Sequence, residues 1–194
     1  YTECLHGMPS KCPIRVAVPV NLRPYFNSIT TKNFFVMVSA EFHPTKETYT
    51  FAEVAAIVKE SLRSQINREN LEKLFSYNVS NEKLLIARVV PLFLKNLAMK
   101  YVYTTSALAN TATITNIGNI SVTEEYRPYV EMFHAFLAMS KGQHLKGTIC
   151  SYGDTLVFSF SYDLVDASVQ RGFFRKIASD GIAVEIKSNG VNYE

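Results

Sequence analysis

The four histidines, His6, His43, His134 and His144, are the side chains suited to moving a proton near neutral pH. None stands in HxxxH, HExxH or a Cys/His cluster, so the sequence spells out no metal site. His43 ends an apolar run before Pro44, and His134 follows Phe133 in another. In such places histidine more often packs or bonds than catalyses. Asp163 and Asp166 are spaced like a carboxylate pair, but Asp166 precedes a helical pattern and reads as its cap. No GxSxG elbow, Walker loop or GxGxxG is present, and eight glycines leave little material to cradle a phosphate. The three cysteines, Cys4, Cys12 and Cys150, form no CxxC pair. They read as free thiols of a reducing compartment, with a Cys4–Cys12 bridge as the alternative. What remains is VPVNLRPYFNSITTKNFF, residues 18–35. Asn21, Arg23, Asn27, Lys32 and Asn33 crowd between two apolar runs, punctuated by Pro19 and Pro24. A plain surface hairpin needs no link so long or so polar.

The elements that would position these groups follow from periodicity. Residues 12–20 alternate, with Ile14, Val16, Val18 and Val20 on one face, and predict a strand. Residues 33–43 are a nearly continuous Phe/Val-rich run ending at Pro44, which predicts a strand buried on both faces. Thr50 with Glu53 forms a capping box for a helix over 51–67, whose Phe51, Val54, Ala55, Val58 and Leu62 recur at helical spacing. A short helix is expected over 70–78. Ser80 would cap another starting near 81, broken or kinked at Pro91, with 91–103 helical and mostly buried on one side. Residues 111–120 alternate into a glycine turn. Residues 129–139 read as a strand, with a helix as the alternative. Residues 145–163 read as a tight hairpin around Gly153-Asp154. A helix capped by Asp166 and stopped at Asp180-Gly181 precedes a last strand over 182–188. This order is neither a βαβ alternation nor all-β. It predicts an α+β sandwich, a mixed sheet with helices packed on it, as a single domain over 1–194.

Bulk properties narrow the function. The chain is 47% hydrophobic, enough for a sizeable core, and its net charge is only +3 with Lys and Arg scattered. Nucleic-acid binding, which needs a basic stripe, is disfavoured. No run reaches the ~20 apolar residues of a membrane span, and the first residues lack a basic start followed by an apolar block. Cytoplasmic localisation is the expectation.

Three stretches carry a family resemblance. VPVNLRPYFNSITTKNFF resembles a segment of bacterial alcohol acetyltransferase-like proteins, in the superfamily of chloramphenicol acetyltransferase and the peptide-synthetase condensation domains. There a strand ends in a Pro-Val-Asn-Leu-Arg-like turn and the next opens on an Asn-Phe pair, here Asn33-Phe34. TITNIGNI (113–120) resembles the family's Ser-Asn-Leu-Gly strand end, followed by an acidic residue and tyrosine as in Glu125-Tyr126. SYGDTLVFSFSYD resembles the fold's late hairpin. The resemblance implies one lobe of a two-lobed acyl-CoA-dependent O-acyltransferase, with donor and acceptor entering a channel between lobes. The family's catalytic histidine lies in an HxxxDG motif of the N-terminal lobe, and that motif is absent here. The chain therefore resembles the C-terminal lobe, in keeping with a start at Tyr1, and would be inactive alone.

What the resemblance assigns here is channel wall, not a catalytic residue. Asn21, Arg23 and Asn33 would fix turns or meet polar substrate groups. Thr115 and Asn116 would stand near the reacting centre, where a hydroxyl or amide stabilises an oxyanion. Thr115 replaces the usual serine, keeping the hydroxyl and adding a methyl. Gly118 would allow a tight turn. The expected partners are its own N-terminal lobe, acyl-CoA as co-substrate and an alcohol or amine acceptor, with no resident cofactor. Two alternatives stay open. Asn21 and Asn33 would serve only their own turns, and Arg23 an ion pair or solvent. The whole chain would then be a non-catalytic ligand-binding or protein-interaction module, prone to homodimerise through an apolar face.

Overall fold

The alternation in β1 (Ile14–Asn21) sets Val16, Val18 and Val20 on one side. The computed structural model describes residues 13–44, 48–83 and 90–189, with backbone alone at 78–83 and 106–108. In it β1 pairs antiparallel with β2 (Phe35–Phe42), Val18 facing Val38 and Val20 facing Val36. On the other side of β1 lies β3 (Ala112–Asn119), then β4 (Leu145–Tyr152), both parallel to it. β5 (Thr155–Tyr162) closes the sheet antiparallel to β4 across the Gly153-Asp154 turn. The order β2-β1-β3-β4-β5 makes a mixed five-stranded sheet.

Helices pack on one face, giving the α+β, two-layer arrangement. α1 (Arg23–Phe26) is a single turn after β1. α2 (Phe51–Gln65) starts at the Thr50/Glu53 capping box, with both reciprocal bonds formed. α3 (Arg68–Lys83) follows. Leu22, Val36, Val38 and Leu71 form the fully buried core between sheet and helices, with Leu62, Ile66 and Phe75 packed against it. At the other end α5 (Ser168–Ser179) sets Phe173 and Phe174 on Phe158 and Phe160 of β5. The register carries Val18 and Phe160 to the same face. Gly147 makes room for this aromatic packing, since a Cβ there would stand 3.2 Å from the Phe158 ring.

The opposite face explains several departures from expectation. Residues 129–139 are neither strand nor helix. A 3₁₀ turn, Arg127–Tyr129, leads into an extended path that joins no ladder. This strap, 130–140, crosses above β4 and is tied by side chains beneath it. The Cys150 thiol donates to the Phe133 carbonyl at 3.3 Å, and Lys146 Nζ donates to the Ala138 carbonyl at 2.6 Å. Residues 182–188 are likewise outside any ladder. β2 is buried on one side only: Phe35 and Met37 point to the helix-free face at the sheet's edge and are exposed.

The helices differ in detail. α3 runs through Ser80, so that serine is not a cap; residues 84–89, where a further helix was expected, lie outside the described residues. Pro91 stands at the start of α4 (Leu92–Leu108), its carbonyl accepting the first helical bonds from Leu94 and Lys95. Asp166 binds the amide and hydroxyl of Ser168 from one residue before the helix cap, Ala167. Cys150 is a buried free thiol; Cys4, Cys12 and His6 lie outside the described residues. Among the described residues no helix is long and apolar enough to cross a membrane.

Candidate functional site

Parallel strands end at the same edge, so the carboxyl ends of β1, β3 and β4 lie together. β2, antiparallel to β1, begins there, with Asn21 facing Phe35. Of the six residues selected from the sequence, Asn21 ends β1, Asn116 and Gly118 lie near the end of β3, Thr115 lies just before them, and Arg23 and Asn33 stand in the connection from β1 to β2, so all six fall toward this edge. Ligands of parallel sheets bind outside such carboxyl ends, where the chain can present side chains without disturbing the ladder.

The hydrogen bonds separate these residues by role. Leu22, 0% exposed, anchors the first turn in the core, and its amide bonds to the Phe34 carbonyl at 3.1 Å. Arg23 then staples the loop that follows. Its Nε donates to the Thr30 carbonyl at 2.8 Å, Nη2 to the Lys32 carbonyl at 2.6 Å, and Nη1 to Asn21 Oδ1 at 3.1 Å. Asn21 Oδ1 also accepts from the Arg23 amide at 3.1 Å. Asn27 takes the left-handed conformation, φ 48°, that ends α1. The long polar link is thus a rigid loop built on one guanidinium.

A parallel device ends β3. Asn116 Oδ1 accepts from the Gly118 amide at 2.9 Å, and the register slips by one residue between them, a β-bulge. Gly118 holds φ 85°, with open space where a Cβ would sit, so backbone conformation alone favours glycine. Four of the six residues therefore shape backbone. The side chains of Asn33, exposed, and Thr115, half-buried, bond to no described residue.

Between the two devices the sheet opens. β1 and β3 pair only at Val16–Ala112 and Ala17–Thr113. Beyond that, Val18–Asn21 pair with β2 alone and Ile114–Asn119 with β4 alone. The facing backbone groups of the two strands have no ladder partner there, and an unpaired polar backbone takes up water or a ligand.

Among the described residues, His43, His134 and His144 do not join this edge by any hydrogen bond. His43 lies 3.6 Å from Glu41 at the opposite edge, where Glu41 also holds Arg15 at 3.0 Å. His134 sits in the strap, stacked on Phe136. His144 Nδ1 and Asp163 Oδ1 are 2.9 Å apart, a half-exposed pair at the amino end of β4. Sequence reading passed over that pair, yet the signal was present: counting outward from the two-residue turn at Gly153-Asp154 sets His144 opposite Asp163. Lys146, 8% exposed, was also missed, because lysine in a strand is normally a solvent residue. Among the described residues no three His, Cys, Asp or Glu side chains gather as metal ligands.

No protein-family model matches the chain, and no curated protein or solved structure is significantly similar to it.

Proposed function

We propose that this chain is the C-terminal lobe of an acyl-CoA-dependent O-acyltransferase of the alcohol acetyltransferase kind, working in a reducing, cytoplasmic compartment. The observation that carries this is the parting of β1 and β3 between two pinned polar turns, Asn21–Arg23 and Asn116–Gly118. It leaves facing backbone groups of β1 and β3 without a ladder partner, beside the Thr115 hydroxyl. Such a wall suits an acyl group whose carbonyl gains negative charge during transfer, because fixed donors need no reorganisation as that charge develops. Among the described residues the wall carries no general base, and the base would come from an HxxxDG histidine of a companion lobe, which would deprotonate the acceptor alcohol or amine. Asn33 would meet a polar group of donor or acceptor.

The test uses the complete gene product, its reading frame traced upstream for HxxxDG. With acetyl-CoA and a panel of short alcohols it should release free CoA thiol. Thr115→Val should lower kcat about 10²-fold if the hydroxyl stabilises the oxyanion. Thiol release at the uncatalysed rate, or a reading frame without that histidine, would refute the proposal.

A second reading, a non-catalytic interaction module, is favoured by α4. Its Leu92, Phe93, Leu97, Met99 and Tyr101 are each more than 60% exposed. A helix apolar on all sides is normally enclosed by something else. A companion lobe or a second copy would serve.

A further inference from the structure

On the strap side of β3, β4 and β5, two facing rows are mostly hydroxylic. Register sets Thr115 beside Thr148, and Thr148 beside Ser159, as one row over β3, β4 and β5. The neighbouring row is Thr113, Lys146 and Ser161. Thr148 is 3% exposed and Ser159 7%. Lys146 directs its ammonium to the strap, at the Ala138 carbonyl and Ser140 Oγ. The hydroxyls of Thr115, Thr148 and Ser159 bond to no described residue. They are also not sealed off without a partner, as the Tyr152 hydroxyl is. Each therefore looks onto space that another oxygen can enter.

Strand spacing decides what fits there. Facing side chains on adjacent strands stand about 5 Å apart. Hydroxyls on such Cβ atoms can meet directly, but those of Thr115, Thr148 and Ser159 do not bond one another here. Turned apart, each pair is bridged by a single oxygen bonded to both at about 2.8 Å. Buried polar groups in native proteins are satisfied in this way by ordered water.

We infer that the Thr115–Thr148–Ser159 row is a binding site for small hydroxylic molecules, one oxygen seated between each neighbouring pair of hydroxyls beneath the strap. Water and the hydroxyl end of a small alcohol entering where β1 and β3 part present the same chemistry to it. The site rests on register and burial, and holds whether or not the chain takes part in acyl transfer.

Thr148→Val keeps the side chain's shape and removes its hydroxyl; Ser159→Ala does the same for its neighbour. If the row is bridged, each substitution strands an oxygen and raises the unfolding equilibrium constant about 3- to 10-fold, measured by urea denaturation of the 194-residue chain. If the hydroxyls bridge nothing, removing a buried unpaired group lowers that constant, and this sign in either variant overturns the inference. NMR supplies the second readout: long-lived water should give cross-relaxation to the Thr115 and Thr148 methyls. Its absence, without saturable methyl shifts on adding ethanol, also overturns the inference. Saturable ethanol shifts lost in Thr148→Val identify an alcohol site. Water contacts without such shifts identify a water site. Either upholds the row.

Discussion

Arg23 shows how one side chain can look like a substrate ligand in sequence and act as a staple in the fold. All three of its guanidinium nitrogens are committed, two to loop carbonyls and one to Asn21. A planar fork of donors suits this task, and lysine cannot reproduce it. Arg23→Ala should therefore lower stability by about 0.5–1.5 kcal/mol, because only the Thr30 carbonyl among its acceptors is part-buried. Arg23→Lys should recover less than half of that in urea denaturation. A ligand-only role would leave stability unchanged in both. The roles of Asn116 and Gly118 are similar: one bond and one positive φ fix where β3 ends. Sequence reading found these residues but could not divide structural from free ones. That division depends on Thr30 and Lys32, whose carbonyl directions are set by the folded loop.

At the scale of elements, β2 is the vulnerable piece, an edge strand whose outward backbone would otherwise recruit another chain. α2 covers it with side chains. Gln65 donates to the Ser39 carbonyl at 2.8 Å and accepts from the Ser39 amide at 3.3 Å, as a neighbouring strand would, while Ser61 Oγ accepts from the Glu41 amide at 3.1 Å. Gln65→Ala should cost about 1–3 kcal/mol and raise the concentration-dependent aggregation rate in light scattering. Unchanged aggregation would mean that α2's bulk alone protects the edge. Elements specified locally were legible: β1 from its alternation, α2 from its capping box, and the β4–β5 hairpin from Gly153-Asp154. The strap was not. EMFHAFLAM alternates like a strand, but a strand needs a neighbour to pair with, and here Cys150 and Lys146 hold the segment by its carbonyls from below. The same long-range cause hid the exposed side of β2.

At the scale of the whole molecule, α4 is the informative element: Leu92, Phe93, Leu97, Met99 and Tyr101 are each more than 60% exposed, and exposed apolar patches of this kind mark interfaces. Alone, the chain is expected to self-associate. Leu97→Glu with Tyr101→Glu should shift sedimentation velocity toward monomer without changing far-UV circular dichroism, whereas an unchanged profile would place the contact elsewhere. No local pattern in LFLKNLAMKYVY distinguishes a helix buried by its own sheet from one covered by a partner, so the sequence raised an apolar pairing face but could not assign it to this helix. On the proposed function, donor and acceptor meet the sheet where β1 and β3 part. Hydrogen–deuterium exchange on the complete gene product with a non-transferable acetyl-CoA analogue tests this most directly. Added protection should fall on 18–23 and 113–119. Protection confined to the His144–Asp163 edge, or to neither, would contradict it.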